Sequence, residues 1–211
     1  MTHDWLKKFR EIGMLWQHDG NPKRPYAKLT SGMISDGFVN CSQLITRPRL
    51  LHEAVHELLG KFISPGKQHS VIGQAMGSIT IGHVAAFILE SRFYWAVKTR
   101  SGGMEIDPRF LIDKSLPAIL VEDVTSTGET SIKSKRSLVA INVPVLPIIY
   151  SIVNRSGKKS IDGMEIRSLI DLNFATWDFG NNPHVDGGLE LVRAVRPKED
   201  NNWDLLNKNY A

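Results

Sequence analysis

The sequence predicts an α/β protein with a central, mostly parallel β-sheet flanked by helices. Three observations point there. Short apolar runs alternate with helical stretches from about residue 71 onward, the pattern of strand–helix–strand crossovers. One run, Ala118-Ile119-Leu120-Val121, is apolar at every position, as a strand covered on both faces must be. Finally, 211 residues with 42% hydrophobic and 23% charged side chains suffice to bury a core and are too apolar for disorder.

Each element can be justified in order. Asp4 is placed to cap a first helix carrying Trp5, Leu6, Phe9, Ile12 and Trp16, which Asp19-Gly20-Asn21-Pro22 ends. Residues 26–42 read as strand, turn and strand around Lys28-Leu29-Thr30-Ser31-Gly32. Residues 48–62 form an amphipathic helix with an apolar stripe of Leu51, Val55, Leu58, Leu59 and Phe62 and a wet face of Glu53, Glu57 and Lys61. Val71-Ile72 is a short strand that runs into Gly73-Gln74-Ala75-Met76-Gly77-Ser78, and a helix follows to about Glu90. Phe93 to Lys98 is a strand, with Trp95 expected in the core, and Ser101-Gly102-Gly103 opens a mobile-looking loop. After the strand at 118–121, a helix runs from Thr127-Gly128 to about Ala140. Strands follow at 143–153 and 166–172, and the tail from Asn181 is irregular. No repeat or linker divides the chain, so a single domain over 1–211 is expected.

Composition narrows the function classes. Net charge is +4 with 26 basic and 22 acidic residues, and no basic stripe marks a nucleic-acid surface. The lone Cys41 excludes an internal disulfide framework and a cysteine-based zinc site. The longest apolar run, Val143 to Tyr150, holds two prolines and is too short to span a bilayer, and no secretory leader is evident. A soluble, reduced, cytoplasmic protein without nucleic-acid or membrane partners is the expectation.

In open α/β sheets, ligands gather at the carboxyl ends of strands. The most informative stretch there is Ala118-Ile119-Leu120-Val121-Glu122-Asp123-Val124-Thr125-Ser126-Thr127-Gly128-Glu129-Thr130. A helix start offers unpaired N–H groups and the positive dipole end to a phosphate. Thr125, Ser126, Thr127 and Thr130 add hydroxyl donors, and Gly128 allows close backbone approach. Glu122 and Asp123 are unsuited to a phosphate but suit vicinal sugar hydroxyls or a hydrated divalent cation. The loop therefore reads as a site for a ribose 5-phosphate.

This segment resembles the phosphoribosyl-pyrophosphate (PRPP) signature of type I phosphoribosyltransferases, with Thr125 and Glu129 departing from it. The match extends along most of the chain and looks most like orotate phosphoribosyltransferase. The resemblance implies a type I phosphoribosyltransferase fold with a core at about 65–175. A small hood would form from about 20–45 together with the C-terminal region, where Val195-Arg196-Pro197-Lys198 and Trp203 resemble some members' ending. It implies transfer of ribose 5-phosphate from PRPP to a pyrimidine base, orotate, giving orotidine 5′-phosphate and pyrophosphate. Asp123, Glu122, Lys98 and Arg100 would be catalytic. Thr125, Ser126, Thr127, Gly128, Glu129, Thr130 and Ser131 would bind the 5′-phosphate. Gln74, which replaces a usual proline, would bind pyrophosphate with Ala75, Met76, Gly77 and Arg109. Thr30, Ser31, Gly32, Phe38 and Arg155 would bind the base, Arg155 by a two-pronged grip on its carboxylate. Asn154 stands where the family has aspartate. Mg2+ would be held mainly by PRPP, with Asp123 a candidate contact through water. A homodimer is implied as well.

One region departs from the family. Residues 98–109 correspond to a flexible basic lid, yet Glu105, Asp107 and Pro108 stand among Lys98, Arg100 and Arg109. The alternatives are a PRPP-binding regulator that has lost the lid, or a transferase for another base. A competing motif, His52-Glu53-Ala54-Val55-His56, matches the HExxH zinc pattern. The amphipathic helix already accounts for it, and no third ligand follows.

Overall fold

A strand that is apolar on both faces must be covered twice, and this chain supplies helices for both sides. The computed structural model describes residues 4–60, 68–178 and 194–210. Phe62, expected on the stripe of the second helix, lies outside the described residues, as does much of the tail from Asn181. The chain divides into two compact units, Cys41–Leu172 and a smaller one formed by Asp4–Asn40 with the described part of 173–211.

In chain order, the smaller unit begins with α1 (Trp5–Glu11), β1 (Leu15–Gln17), β2 (Tyr26–Lys28), β3 (Ile34–Ser35) and β4 (Gly37–Val39). The larger unit holds α2 (Ser42–Ile45), α3 (Pro48–Gly60), β5 (Ser70–Gln74), α4 (Ala75–Ile88), β6 (Arg92–Lys98) and β7 (Met104–Ile106). It continues with β8 (Ala118–Thr125), α5 (Glu129–Ala140), β9 (Val145–Asn154), β10 (Ser160–Ile161) and β11 (Met164–Asp171). Then β12 (Thr176–Trp177), β13 (Ala194–Val195) and α6 (Asn202–Asn207) return to the smaller unit.

The sheet of the larger unit runs β10-β11-β9-β8-β5-β6-β7. Its five inner strands are parallel, and the two edges are antiparallel. The α5 face buries Ile72, Leu120, Leu138, Ile149 and Met164 in one cluster. On the other face α4 crosses β5, β6 and β8, and α3 packs beside α4 with Leu51, Val55, Leu58 and Leu59 buried. This topology selects one place on the sheet. From β5 the chain crosses through α4 to β6 on one side, whereas β8 lies on the other side of β5 and crosses through α5 to β9. The direction of winding therefore reverses between β5 and β8, and their carboxyl ends frame a crevice.

In the smaller unit, β12-β3-β2-β13 form a four-stranded sheet and β1 pairs with β4. Strand β13 lies parallel to β2, with Ala194 opposite Tyr26, so the C-terminal region completes the early hairpin's sheet. Trp16, Ala27 and Leu206 form this unit's buried centre, and Trp16 Nε1 donates to the Leu206 carbonyl at 2.9 Å.

Two expectations on element limits need correction. Trp16 is not on the first helix. That helix ends at Glu11, Gly13 turns the chain at φ 70°, and Trp16 pairs with Phe38 as a strand residue. Strand β8 does not stop at Val121: ladder pairing with β9 carries it to Thr125, opposite Asn154.

At the end of β8, Gly128 sits at φ 73°, and an added Cβ would lie 2.5 Å from Ile161 Cδ1 and 2.8 Å from its Cγ2. Both the backbone and the space require glycine. Gly128→Ala is expected to lower stability by about 1–3 kcal/mol in urea denaturation. A change inside about 0.5 kcal/mol, the usual range for neutral substitutions, would contradict this packing.

Candidate active site

The crevice at the winding reversal is bounded by the first turns of two long helices. Helix α4 starts directly from β5, with Gln74 as its N-cap residue and no side-chain capping bond. Helix α5 starts from Gly128, again with no side-chain cap. Neither helix start therefore has a side-chain cap from its N-cap residue. Each presents first-turn N–H groups and a positive dipole end, the arrangement that binds anions. At α4 the strand turns abruptly into the helix through Ala75, which holds a left-handed φ of 59° unusual for a residue with a Cβ.

Asp123 lies between the two starts. Strand alternation sends it to the α4 face, along with Ile119 and Val121. An added Cβ at Gly77 would collide with Asp123 Oδ2, so only glycine in the α4 first turn leaves room for this carboxylate. Asp123 Oδ1 accepts from the Val124 N–H at 2.8 Å. The Cys41 thiol donates to the Asp123 carbonyl at 3.8 Å, placing the lone cysteine, which the sequence left without a role, beside the acid's main chain.

Glu122 goes the other way, to the α5 face occupied by Leu120. It is 7% exposed. Burial first, and then the neighbouring Asp123 charge, push its carboxyl well above the usual glutamate range. Lys98 acts on it in the opposite sense and also draws down the Glu129 carboxyl, so this exposed lysine lies electrostatically close to the start of α5. The two acids are thus not a matched pair: one flanks α4 in the crevice and the other is buried beneath α5.

The loop from 126 to 128 and the first turn of α5 hold the hydroxyl-rich motif. Ser126 and Thr127 are exposed, and Thr127 Oγ1 accepts from the Glu129 N–H at 3.3 Å. Several motif residues differ from expectation. Thr125 is a buried strand residue whose N–H donates to Ser151 Oγ at 3.1 Å, and its own hydroxyl has no partner among the described residues. The Glu129 carboxylate pairs with Lys133 at 2.6 Å, which offsets an acid near a phosphate site. Ser131 is fully buried and accepts from Gln74 Nε2 at 3.0 Å, so these two side chains face each other rather than a ligand. Met76 is 87% exposed in the α4 first turn, and its contribution to anion binding is confined to the backbone.

The segment read as a mobile lid is a hairpin. Strands β6 and β7 pair from Ala96–Ile106 to Lys98–Met104, with Gly102 N–H bonded to the Thr99 carbonyl in the turn. Asp107 explains the acid in a basic region. It is 5% exposed and accepts from Trp95 Nε1 at 3.2 Å, from the Arg109 backbone N–H at 3.0 Å and from the Arg109 guanidinium at 2.8 and 2.6 Å. The guanidinium lies 5.7 Å over the Trp95 ring, which is half-buried rather than in the core. Arg109 is thus engaged by Asp107, leaving Lys98 and Arg100, both exposed, as the uncommitted basic candidates of this hairpin.

At the neighbouring strand end, Asn154 builds the turn that carries Arg155. Its Nδ2 donates to the Lys158 carbonyl at 2.9 Å, while its Oδ1 accepts from Ser156 N–H and Oγ. A carboxylate could not make the first of these bonds. Arg155 N–H closes the turn on the Thr125 carbonyl at 2.8 Å. Thr30, Ser31 and Gly32 form the exposed tip of the β2–β3 hairpin in the smaller unit, closed by Gly32 N–H to the Leu29 carbonyl. Phe38, in the same unit, packs against Trp203 with ring centroids 6.0 Å apart.

His52 and His56 are exposed on α3 with ring centroids 6.2 Å apart. Among the described residues no group of three or more His, Cys, Asp or Glu is placed to hold a metal. No described helix is long and apolar enough to cross a membrane.

Known proteins resemble this chain over most of its length. The chain is 34% identical over 169 residues to orotate phosphoribosyltransferase of Thermus thermophilus, covering 80% of this chain and 87% of the relative. It is 28% identical over 166 residues to that of Desulforamulus reducens, covering 79% and 85% respectively. In three dimensions it superposes on the crystal structure of orotate phosphoribosyltransferase from Aeropyrum pernix with a TM-score of 0.62. That match has 19% identity and spans 79% of this chain and 92% of the other. No family model matches the sequence.

The Asp107 carboxyl is held well below its ordinary value of 3.8, first by the Arg109 guanidinium and then by the Arg109 backbone N–H. The charged form is the one the fold favours, so its stabilising effect is present above pH 3.8 and disappears as the pH falls and the folded protein takes up that proton. Asp107→Asn is therefore expected to lower Tm at pH 7, with the gap from wild type narrowing as pH drops below 3.8. A Tm difference independent of pH would contradict the charge's role.

Proposed function

As the chain belongs to the orotate phosphoribosyltransferase family, we propose that it transfers ribose 5-phosphate from PRPP to orotate, releasing pyrophosphate and forming orotidine 5′-phosphate. It is then a pentosyltransferase of pyrimidine nucleotide biosynthesis. The observation that carries this reading is the pair of helix starts, α4 and α5, whose N-cap residues make no side-chain cap, brought together at the winding reversal with Asp123 against the first turn of α4. Two anion cradles separated by one carboxylate suit a sugar with phosphate at one end and pyrophosphate at the other. Family membership favours this enzyme over the regulator.

Each residue has a part that follows from its position. The N–H groups of the α5 first turn, with Ser126, Thr127 and Thr130, hold the 5′-phosphate. Backbone N–H groups at Ala75, Met76 and Gly77 hold pyrophosphate. Asp123 takes the ribose hydroxyls and favours the positive charge that grows on the sugar as the C1′–O bond breaks and pyrophosphate departs with the bonding electrons. A base nitrogen then closes the new bond at C1′. Glu122, buried on the α5 face with its carboxyl pushed up by burial, stands behind Asp123 rather than beside it. Lys98 and Arg100 supply the cationic cover over the departing pyrophosphate. Arg155, on its amide-built turn, grips the orotate carboxylate, and Thr30 to Gly32 and Phe38 of the smaller unit are assigned to the base by family resemblance. Most of the acceleration comes from positioning and fixed charge.

The donor set also suits Mg2+. Among the described residues Asp123 is the acid set against the first turn of α4, so the ion would take most of its oxygen ligands from PRPP and touch the protein at Asp123 through water. When bound it supplies neutralisation of the pyrophosphate charge. We further place the protein in the cytoplasm as a homodimer with the domain plan of a core and a hood, by family resemblance. The exposed Met76 and Phe87 along α4 are consistent with a covered helix face in such a dimer.

Pyrophosphate release from PRPP with a panel of bases tests the reading: orotate is expected to support turnover well above other pyrimidines. Asp123→Asn should cut kcat by about 100-fold or more while shifting Tm little. Turnover with no base, or equal loss of turnover and stability in the variant, would contradict it.

A further inference from the structure

Gln74 is the last residue of β5, at the entrance to the cradle assigned to pyrophosphate. Its side chain is 1% exposed. Its Nε2 donates to Ser131 Oγ at 3.0 Å across 57 residues of sequence, and Ser131 is itself fully buried in the first turn of α5. The Gln74 main chain belongs to the other cradle, since its carbonyl accepts the Ser78 hydroxyl of α4. One residue thus connects the two helix starts, by its backbone to α4 and by its side chain to α5.

The amide is held at one end alone. Gln74 Oε1 is buried without a hydrogen-bond partner among the described residues, so breaking the bond to Ser131 would leave the whole amide unsatisfied in a water-excluded place. Below this point β5 and β8 are joined by the ladder, up to Gly73 opposite Val121. Above it β5 ends and β8 continues to Thr125 against β9 alone, and there the Gln74–Ser131 bond takes over from the β5–β8 ladder.

The spacing matters because PRPP is one molecule anchored at both ends. A cradle at the wrong distance still binds its own anion, but both cannot engage the same sugar without strain. We propose that Gln74 is a positioning residue whose amide sets the distance between the two anion cradles for a doubly anchored substrate. The inference rests on the phosphoribosyl transfer proposed above, and predicts an asymmetry that a merely structural residue would not produce. Ligands with both ends should suffer, and ligands with one end should not.

The test uses the full chain as wild type, Gln74→Met, Ser131→Ala and the double variant. Each is titrated with PRPP, ribose 5-phosphate and pyrophosphate in the presence of magnesium, and assayed for turnover. PRPP affinity is expected to fall about tenfold in either single variant, with KM for PRPP rising in parallel. Ribose 5-phosphate and pyrophosphate affinities should each change less than about twofold, and the double variant should be no worse than the singles. Ser131→Ala removes a single oxygen and keeps the test open if Gln74→Met fails to fold. Equal losses for one-ended and two-ended ligands, or additive losses in the double variant, would overturn the tether. An active wild type whose variants bind PRPP normally defeats the tether alone, whereas a wild type inert with PRPP and every base defeats the transfer reading and the tether with it.

Discussion

Two helix dipoles aimed at one crevice are the constraint around which the larger unit is organised. Helices α4 and α5 follow adjacent parallel strands, and the reversal of winding between β5 and β8 brings their starts together. The N-cap positions leave both starts without their usual side-chain cap: Gln74 turns its amide to Ser131, and Gly128 has no side chain, with only Thr127 Oγ1 taking the first N–H of α5. Each start carries roughly half a positive charge. Placing two together is unfavourable unless an anion occupies the space, and the Asp123 carboxylate, fitted against Gly77, answers part of that demand within the protein itself.

The same arrangement explains why charge is distributed so sparingly. A basic lid is one way to cover pyrophosphate; here the backbone supplies much of the positive potential, and the hairpin of β6 and β7 contributes Lys98 and Arg100. Asp107, which looks out of place as a residue type, neutralises Arg109 and ties Trp95 to the segment after β7. Glu122 is another apparent excess of acid, and burial resolves it by favouring the protonated form. What the net charge of +4 could not reveal is that several charges near the site are already spoken for.

How much of this was legible in the sequence follows from the range of each interaction. The strand–loop–helix at 118–130 could be read because phosphate binding at a helix start is a local property of consecutive residues. So could the amphipathic α3, whose buried stripe set aside the HExxH reading. Misreadings arose where a distant partner decides. Trp16 has the right spacing for a helix face, but pairing with Phe38 makes it a strand residue. Thr125 looks like a loop hydroxyl, but β9 extends the ladder through it. The Cys41 contact to Asp123, the Gln74–Ser131 bond and the pairing of β13 with β2 join residues 57 or more apart and leave no local pattern. The Asn154 turn lay within reach, because an Asn side chain in a loop readily accepts from the backbone N–H two residues on.

PRPP engages both helix starts at once. Backbone amide chemical shifts during titration with PRPP and magnesium measure it most directly. Amides at 75–78 and at 126–131 are expected to shift together along a single saturation curve, while those at the start of α3 stay in place. Shifts confined to one of the two helix starts, or two curves with different midpoints, would contradict it.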